Sequence, residues 1–329
     1  MFNKQTILAS IISISLSTSI FAAEKLFKMD GKVYSTDELP AKQKQTMFDI
    51  ELRHFRQLDA LVDETILKLH FAELAKKSKK SEAEIEADVL SVKAASEKEL
   101  KKFYNENKSK IPSNYTYEQV KPEIKRILEG KNRSEKRDAL LAKLKKKHKV
   151  TLLAKEPESP TIEIKTEGFH TSGKSGSKVK IVEFADYQCP HCGEASKAFK
   201  KVMKQYGSKV ELVYVDFPIN RSGISRVVAE GAYCASKQNK YWDFHNMAFE
   251  NQSKLTNNSP VEFAKKLKLK MDDFNKCLKS AEAKSYVIRG KEEGDRIGVS
   301  GTPAIFINGK RYMGGHSYED VSGFIKKML

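Results

Sequence analysis

Cysteine is scarce and unevenly placed. Only four occur in 329 residues, at 189, 192, 234 and 277, so any thiol chemistry is confined to the C-terminal half. Long apolar runs are scarcer. Beyond the uncharged stretch Thr6 to Ala23, no segment is apolar enough to cross a bilayer. Few aromatics accompany the lysine runs Lys76-Lys77-Ser78-Lys79-Lys80 and Lys143-Leu144-Lys145-Lys146-Lys147, and Glu and Asp are interleaved among the basic residues. The net charge of +17 therefore reads as solvated helix faces, and no nucleic-acid partner is expected.

The length gives room for two domains, each with its own core. Met1 to Ala23 carry one early lysine, then an Ile-, Leu- and Ser-rich run ending in Phe21-Ala22-Ala23. This pattern predicts a secretory signal peptide over 1–23, cleaved after Ala22 or Ala23, with an uncleaved membrane anchor as the alternative. No cysteine lies near the cleavage point to carry a lipid. Export would put the four cysteines in an oxidising compartment, where disulfides persist.

Residues 24–155 read as a mostly helical domain. Asp30-Gly31 is turn chemistry between short apolar runs. After Pro40, residues Met47, Ile50, Leu52, Phe55, Leu58, Leu61, Val62, Ile66, Leu69 and Leu74 recur near helical spacing. Ser81-Glu82-Ala83-Glu84 and Ser96-Glu97-Lys98-Glu99 match capping boxes that begin two further helices. A last helix is expected from about Tyr117 to Lys147, with Pro122 in its first turn. Its apolar side would carry Val120, Ile124, Ile127, Leu128, Leu140, Leu141 and Leu144. His54, His70 and His148 are isolated, and this region forms no catalytic constellation.

A proline-containing linker, 156–162, separates this domain from 163–329, where the periodicity changes. Strands are expected over 179–186, 209–216 and 304–307. Asn308-Gly309 marks a tight hairpin, a helix closes the chain over about 318–328, and a helical block fills about 222–297.

Cys189-Pro190-His191-Cys192 follows the first of those strands and opens a helix-like stretch. A strand ending in CxxC and turning directly into a helix is the thioredoxin arrangement. Unpaired N–H groups at a helix start favour a thiolate, so Cys189 is the candidate nucleophile. His191 can add a hydrogen bond or a positive charge, Pro190 suits the first turn, and Cys192 is the candidate resolving thiol. A CxxC can also bind zinc, but Cys234 and Cys277 form no second pair, so neither a metal nor another cofactor is expected.

The CPHC motif, the strand Val182-Glu183-Phe184 before it and the late Val299-Ser300-Gly301-Thr302-Pro303 together resemble the DsbA-type thiol:disulfide oxidoreductases of the bacterial envelope. The resemblance covers about 162–329. It implies an α/β thioredoxin fold with an inserted helical subdomain, preceded here by the mostly α-helical N-terminal domain. It also implies a cis Pro303 beside the redox pair, with Thr302 offering its backbone to a client strand, and Glu183 as proton acceptor for Cys192. A strand glutamate facing solvent is the competing reading of Glu183. Family oxidases favour valine before the proline, and Thr302 is closer to the disulfide isomerases, so the direction of exchange stays open.

With the CxxC paired, Cys234 and Cys277 are each other's only partners, and several DsbA-like branches carry a structural disulfide in this subdomain. A bridge is expected, with two buried thiols as the alternative. Trp242, Phe244, Met247 and Phe249 are expected in the core. Asp30-Gly31-Lys32-Val33 and the long helices resemble the chaperone domain of SurA-like proteins, without a prolyl isomerase module.

The function implied is a periplasmic oxidase acting on unfolded or reduced exported proteins and recycled by a membrane redox partner. The alternatives are an isomerase or reductase, forming a homodimer through the helical domain, and a chaperone whose helical domain binds clients.

Overall fold

The computed structural model describes residues 25–108, 111–112 and 114–329. The expected signal peptide lies outside the described residues. Among them, no helix is long and apolar enough to cross a membrane.

The chain divides into two compact units, residues 25–48 with 159–329, and residues 49–158. The division falls within helix α1 (Ala41–Lys77), not only at the linker.

In the first unit, β1 (Lys25–Met29) and β2 (Lys32–Ser35) form an antiparallel hairpin across Asp30-Gly31. A second sheet has five strands: β3 (His170–Gly173), β4 (Val179–Ala185), β5 (Val210–Asp216), β6 (Ala304–Ile307) and β7 (Lys310–Arg311). Their spatial order is β3-β5-β4-β6-β7; β4 and β5 are parallel and the other pairings antiparallel. The two parallel strands are rich in valine and almost wholly buried, as strands covered on both faces must be.

Alternation along the strands splits the core. Ile181, Leu212, Ile305 and Ile307 pack with Phe199 and Val202 of α5 (Pro190–Tyr206) and with Val321 and Ile325 of α11 (Tyr318–Met328). Val182, Phe184, Val213, Val215 and Phe306 belong to the larger core shared with the helical insert. That insert comprises α6 (Ile224–Ser236), α7 (Tyr241–Glu250), α8 (Ser259–Lys266), α9 (Met271–Leu278) and α10 (Ala281–Ile297). Phe244 and Phe249 are buried in it, and Trp242 and Met247 pack against it half-buried.

The expected strands, hairpin and closing helix are present. Edge strand β3 has no counterpart in the sequence reading: its His-Thr-Ser-Gly sequence carries no apolar alternation. The segment read as a linker is tied down in its second half. Ser159 Oγ accepts from Arg311 N at 2.7 Å, and Ile162 N donates to Gly309 O at 2.9 Å.

Cys234 on α6 and Cys277 on α9 form a disulfide spanning 43 residues. Alanine at both positions should lower the stability of the oxidised protein to denaturant by about 4 kcal/mol, from loop entropy restored to the unfolded chain. An unchanged denaturation midpoint would show that the bridge constrains nothing.

The second unit contains the rest of α1 with α2 (Glu82–Val89), α3 (Glu97–Asn107) and α4 (Tyr117–Lys147). Ser81 and Ser96 cap α2 and α3 in the expected boxes, and Thr116 with Gln119 forms a third. Leu67 and Phe71 of α1 meet Ile85, Leu90, Leu141 and Leu144 in a small core.

Two readings need correction. Pro122 is the sixth residue of α4, where its missing N–H deprives the Glu118 carbonyl of its helical partner. The α1 stripe is also narrower than its sequence suggests: Ile50, Leu61 and Leu69 are exposed, as is Ile127 of α4. The lysine runs are solvated and partly paired, as in Lys77–Glu73 and Lys80–Asp88.

Candidate active site

Strand β4 ends at Ala185, and four residues later Cys189 is the N-cap of α5, with Pro190 in the first turn. The Cys189 carbonyl accepts from Cys192 N at 3.0 Å and Gly193 N at 3.2 Å. Both sulfurs are free thiols; Cys189 is half-buried and Cys192 fully buried. The Thr302–Pro303 peptide is cis, and the Cys189 thiol donates to Thr302 O at 3.2 Å. The structure thus brings Cys189, Pro190, His191, Cys192, Thr302 and Pro303 together, while the Cys234–Cys277 bridge lies apart in the insert.

The two thiols differ sharply. Cys189 is pulled down to about 5, first by a hydrogen bond from the Cys192 thiol. Thr302 and the backbone N–H groups of Cys192 and His191 add to this, against the opposing effect of burial. The Thr302 hydroxyl is buried and otherwise unpartnered, which leaves it free to serve the thiolate. Burial drives Cys192 strongly upward, and the neighbouring Cys189 and Glu183 reinforce it. One sulfur is therefore an accessible thiolate and its neighbour a protected thiol.

Glu183 does not face solvent. It is 2 % exposed on β4, beside Tyr214 of β5 and Ile305 of β6, and burial followed by the Cys189 charge pushes it up to about 8. The His191 side chain is exposed, with Nδ1 at 3.5 Å from Glu194 Oε2.

Three residues that shape the site are absent from the sequence reading. Asp186 is buried, and its carboxylate accepts from Gln188 N at 2.7 Å, Ile219 N at 2.8 Å, Asn220 N at 2.9 Å and the Ser225 hydroxyl. It knots the loop before the CxxC to the loop after β5. Gln252, just beyond α7, donates to Tyr187 O at 2.8 Å and Cys189 O at 2.7 Å. Its Oε1 stands 2.6 Å from where a Cβ on residue 193 would be, so any side chain there would have to displace the Gln252 amide. Asp216 is a second buried acid, raised to about 8 by burial and then by Asp186. An acid closing an apolar strand just before CxxC is a usable signal for Asp186. Gln252 offers none, because its contacts lie about sixty residues away in sequence.

Residues 165–327 match the family model described as Thioredoxin. The C-terminal half of this chain has the thioredoxin fold. Among curated proteins, this chain is 29% identical over 157 residues to Na(+)/H(+) antiporter NhaA 3 of Salinispora tropica, covering 47% of this chain and 24% of the antiporter. It is 28% identical over 149 residues to the Bacillus cereus protein named Probable disulfide bond formation protein D, covering 42% of this chain and 68% of that one. The chain thus spans about a quarter of the length of the antiporter relatives it matches. Among solved structures, oxidised BdbD from Bacillus subtilis is 25% identical with a TM-score of 0.47, covering 52% of this chain and 98% of that one.

Proposed function

We propose that this protein is a periplasmic thiol:disulfide oxidoreductase that introduces disulfides into exported proteins through Cys189 and Cys192. The observation that carries this reading is the pairing of a stabilised, accessible Cys189 thiolate with a buried Cys192 thiol beside Thr302-Pro303. The similarity to a protein named for disulfide bond formation supports it, and the Cys234–Cys277 bridge fits an oxidising compartment.

In the oxidising direction, a client thiolate attacks Cys189 Sγ of the Cys189–Cys192 disulfide. The S–S bond breaks, and Cys192 leaves with the electron pair. Glu183, raised to about 8 and protonated at neutral pH, supplies its proton. A second client thiolate then attacks the client sulfur of the mixed disulfide, and Cys189 leaves as the better-stabilised thiolate. The client loses two electrons and the protein becomes a dithiol, which a membrane redox partner must reoxidise. Thr302 and Pro303 hold the client backbone during the exchange.

A second reading, an isomerase assembled as a homodimer through the helical unit, is favoured by Thr302 before the proline and by the exposed Ile50, Leu61 and Leu69. A chaperone role for that unit rests on the same exposed residues. The oxidised protein should convert a reduced two-cysteine peptide to its disulfide stoichiometrically, and the pair should be mostly oxidised when trapped in cells. No peptide oxidation would sink the function. A dithiol trapped mostly reduced, with a dimeric mass and reshuffling of a scrambled substrate, would replace oxidase with isomerase.

A further inference from the structure

The redox pair opens α5, but the backbone around it is gripped by a side chain of the helical insert. Gln252 begins a short 3-10 turn, Gln252–Lys254, directly after α7. Its Nε2 donates to Cys189 O at 2.7 Å and to Tyr187 O at 2.8 Å, so both amide protons go to carbonyls at or just before the reactive thiol. The reverse orientation of the amide would set Oε1 against two carbonyl oxygens. As placed, Oε1 stands instead over Gly193, 2.6 Å from the position of a Cβ. The insert holds Tyr187 a second time: its hydroxyl is 3.2 Å from His245 Nδ1 on α7, and its ring centroid is 4.8 Å from that of Phe249. On the chain's own side, Cys189 N donates to Asp186 O at 3.1 Å.

We propose that Gln252 is a positioning residue for thiol exchange: by fixing the Cys189 carbonyl, it holds the N-cap in the setting that aims the first N–H groups of α5 at Cys189 Sγ. This rests on the reading of Cys189 as the reactive thiol.

Cys189 has the extended backbone of an N-cap, with φ −77° and ψ 118°. Rotation about that ψ turns the start of α5 relative to the Cys189 side chain, and the carbonyl oxygen turns with it. Anchoring the oxygen therefore anchors the helix start against the sulfur. Cys192 N and Gly193 N already donate to this oxygen at 3.0 and 3.2 Å, but both belong to α5 and move with it. The Gln252 amide comes from a separate element and is the shortest of the three contacts. Pro190 has no N–H to offer, so the first helix donors are those of His191 and Cys192. These are the backbone groups that favour the thiolate. A disulfide carries no charge for them to act on. Loosening the cap should thus raise the free energy of the thiolate and leave the disulfide little changed, so thiol titration and exchange equilibrium must move together. Gly193 belongs to the same device, because a side chain there displaces the amide.

The test uses Gln252→Ala, which removes the amide, and Gly193→Ala, which displaces it. In each, the ultraviolet absorbance of the Cys189 thiolate should appear at a higher pH than in the wild type. The equilibrium with glutathione should shift about three- to tenfold toward the disulfide, the rise in midpoint being the logarithm of that factor. Alanine at both positions should shift no further than either alone, since the two changes abolish one contact. Gly193→Ala keeps Gln252 and adds a residue that favours helix, so it carries the test if Gln252→Ala does not fold. Wild-type titration and equilibrium in a folded variant, even with a lowered thermal midpoint, would reduce Gln252 to a brace and overturn the proposal. Additive shifts in the double variant would overturn it as well. All these measurements read the thiol and not turnover, so a protein that shows the shifts yet fails to oxidise peptides retains the inference and loses the function.

Discussion

Serine at position 189 should reduce peptide oxidation to the uncatalysed background and leave the protein inert toward small disulfides. Serine at 192 should also end net oxidation, but this variant should form a long-lived mixed disulfide with a small disulfide or a client. The asymmetry follows from the two environments. With its thiol near 5, Cys189 is about 99% thiolate at pH 7, against about 3% for an ordinary cysteine. The thiolate is the attacking species, so Cys189 alone should react at neutral pH. The lower basicity of so stabilised a thiolate reduces its intrinsic nucleophilicity and makes it a better leaving group, which favours handing the disulfide on to a client. Cys192 is buried and pushed far above the ordinary thiol range, and so should resist attack even when Cys189 is absent. Mass spectrometry of each variant after exposure to glutathione disulfide reads this directly. Equal adduct on the two variants would mean that the thiols are not differentiated and would remove the assignment of roles.

The parts of this site that a sequence reader can find are those written in consecutive residues. CPHC after a valine-rich strand, Asn308-Gly309 between two short strands, and Ser–x–x–Glu before the helices all act through neighbours three or four positions away. Their local physics survives any tertiary arrangement. What escaped depends on residues distant in sequence. Asp186 reads as a polar strand end until Ile219, Asn220 and Ser225 are folded around it. Gln252 becomes a site residue only because the helical insert reaches the start of α5. The exposed Ile50, Leu61 and Leu69 show the converse error, since apolar spacing on a helix of 37 residues does not say which turns have a partner to pack against.

Glutamine at position 183 should stabilise the protein at high pH and cost it some stability at low pH, where the carboxyl is already neutral and only the burial of the amide is felt. Burial holds the Glu183 carboxyl near 8, whereas the same group in the unfolded chain titrates near 4.3, an ordinary glutamate value. Between those values the folded protein retains a proton that the unfolded chain releases, so stability falls as pH rises from about 4 to about 8 and is level beyond. The full penalty is on the order of 3 to 5 kcal/mol above pH 8 and vanishes below pH 4. Because the buried amide introduced there must itself find partners, the net gain in Glu183→Gln should be smaller, about 2 kcal/mol or more at pH 8. Asp216, also held near 8, should preserve part of the pH slope in the variant. Denaturant unfolding of the reduced protein at pH 4, 6 and 8 tests the expectation, and parallel stability curves for wild type and variant would contradict it. On the proposed mechanism, in which Glu183 supplies the proton to Cys192, the same substitution should also slow release of Cys192 from the mixed disulfide. A buried carboxyl that destabilises the fold at the working pH, on the strand leading to the CxxC, is what a site selected for exchange, and not for stability, would retain.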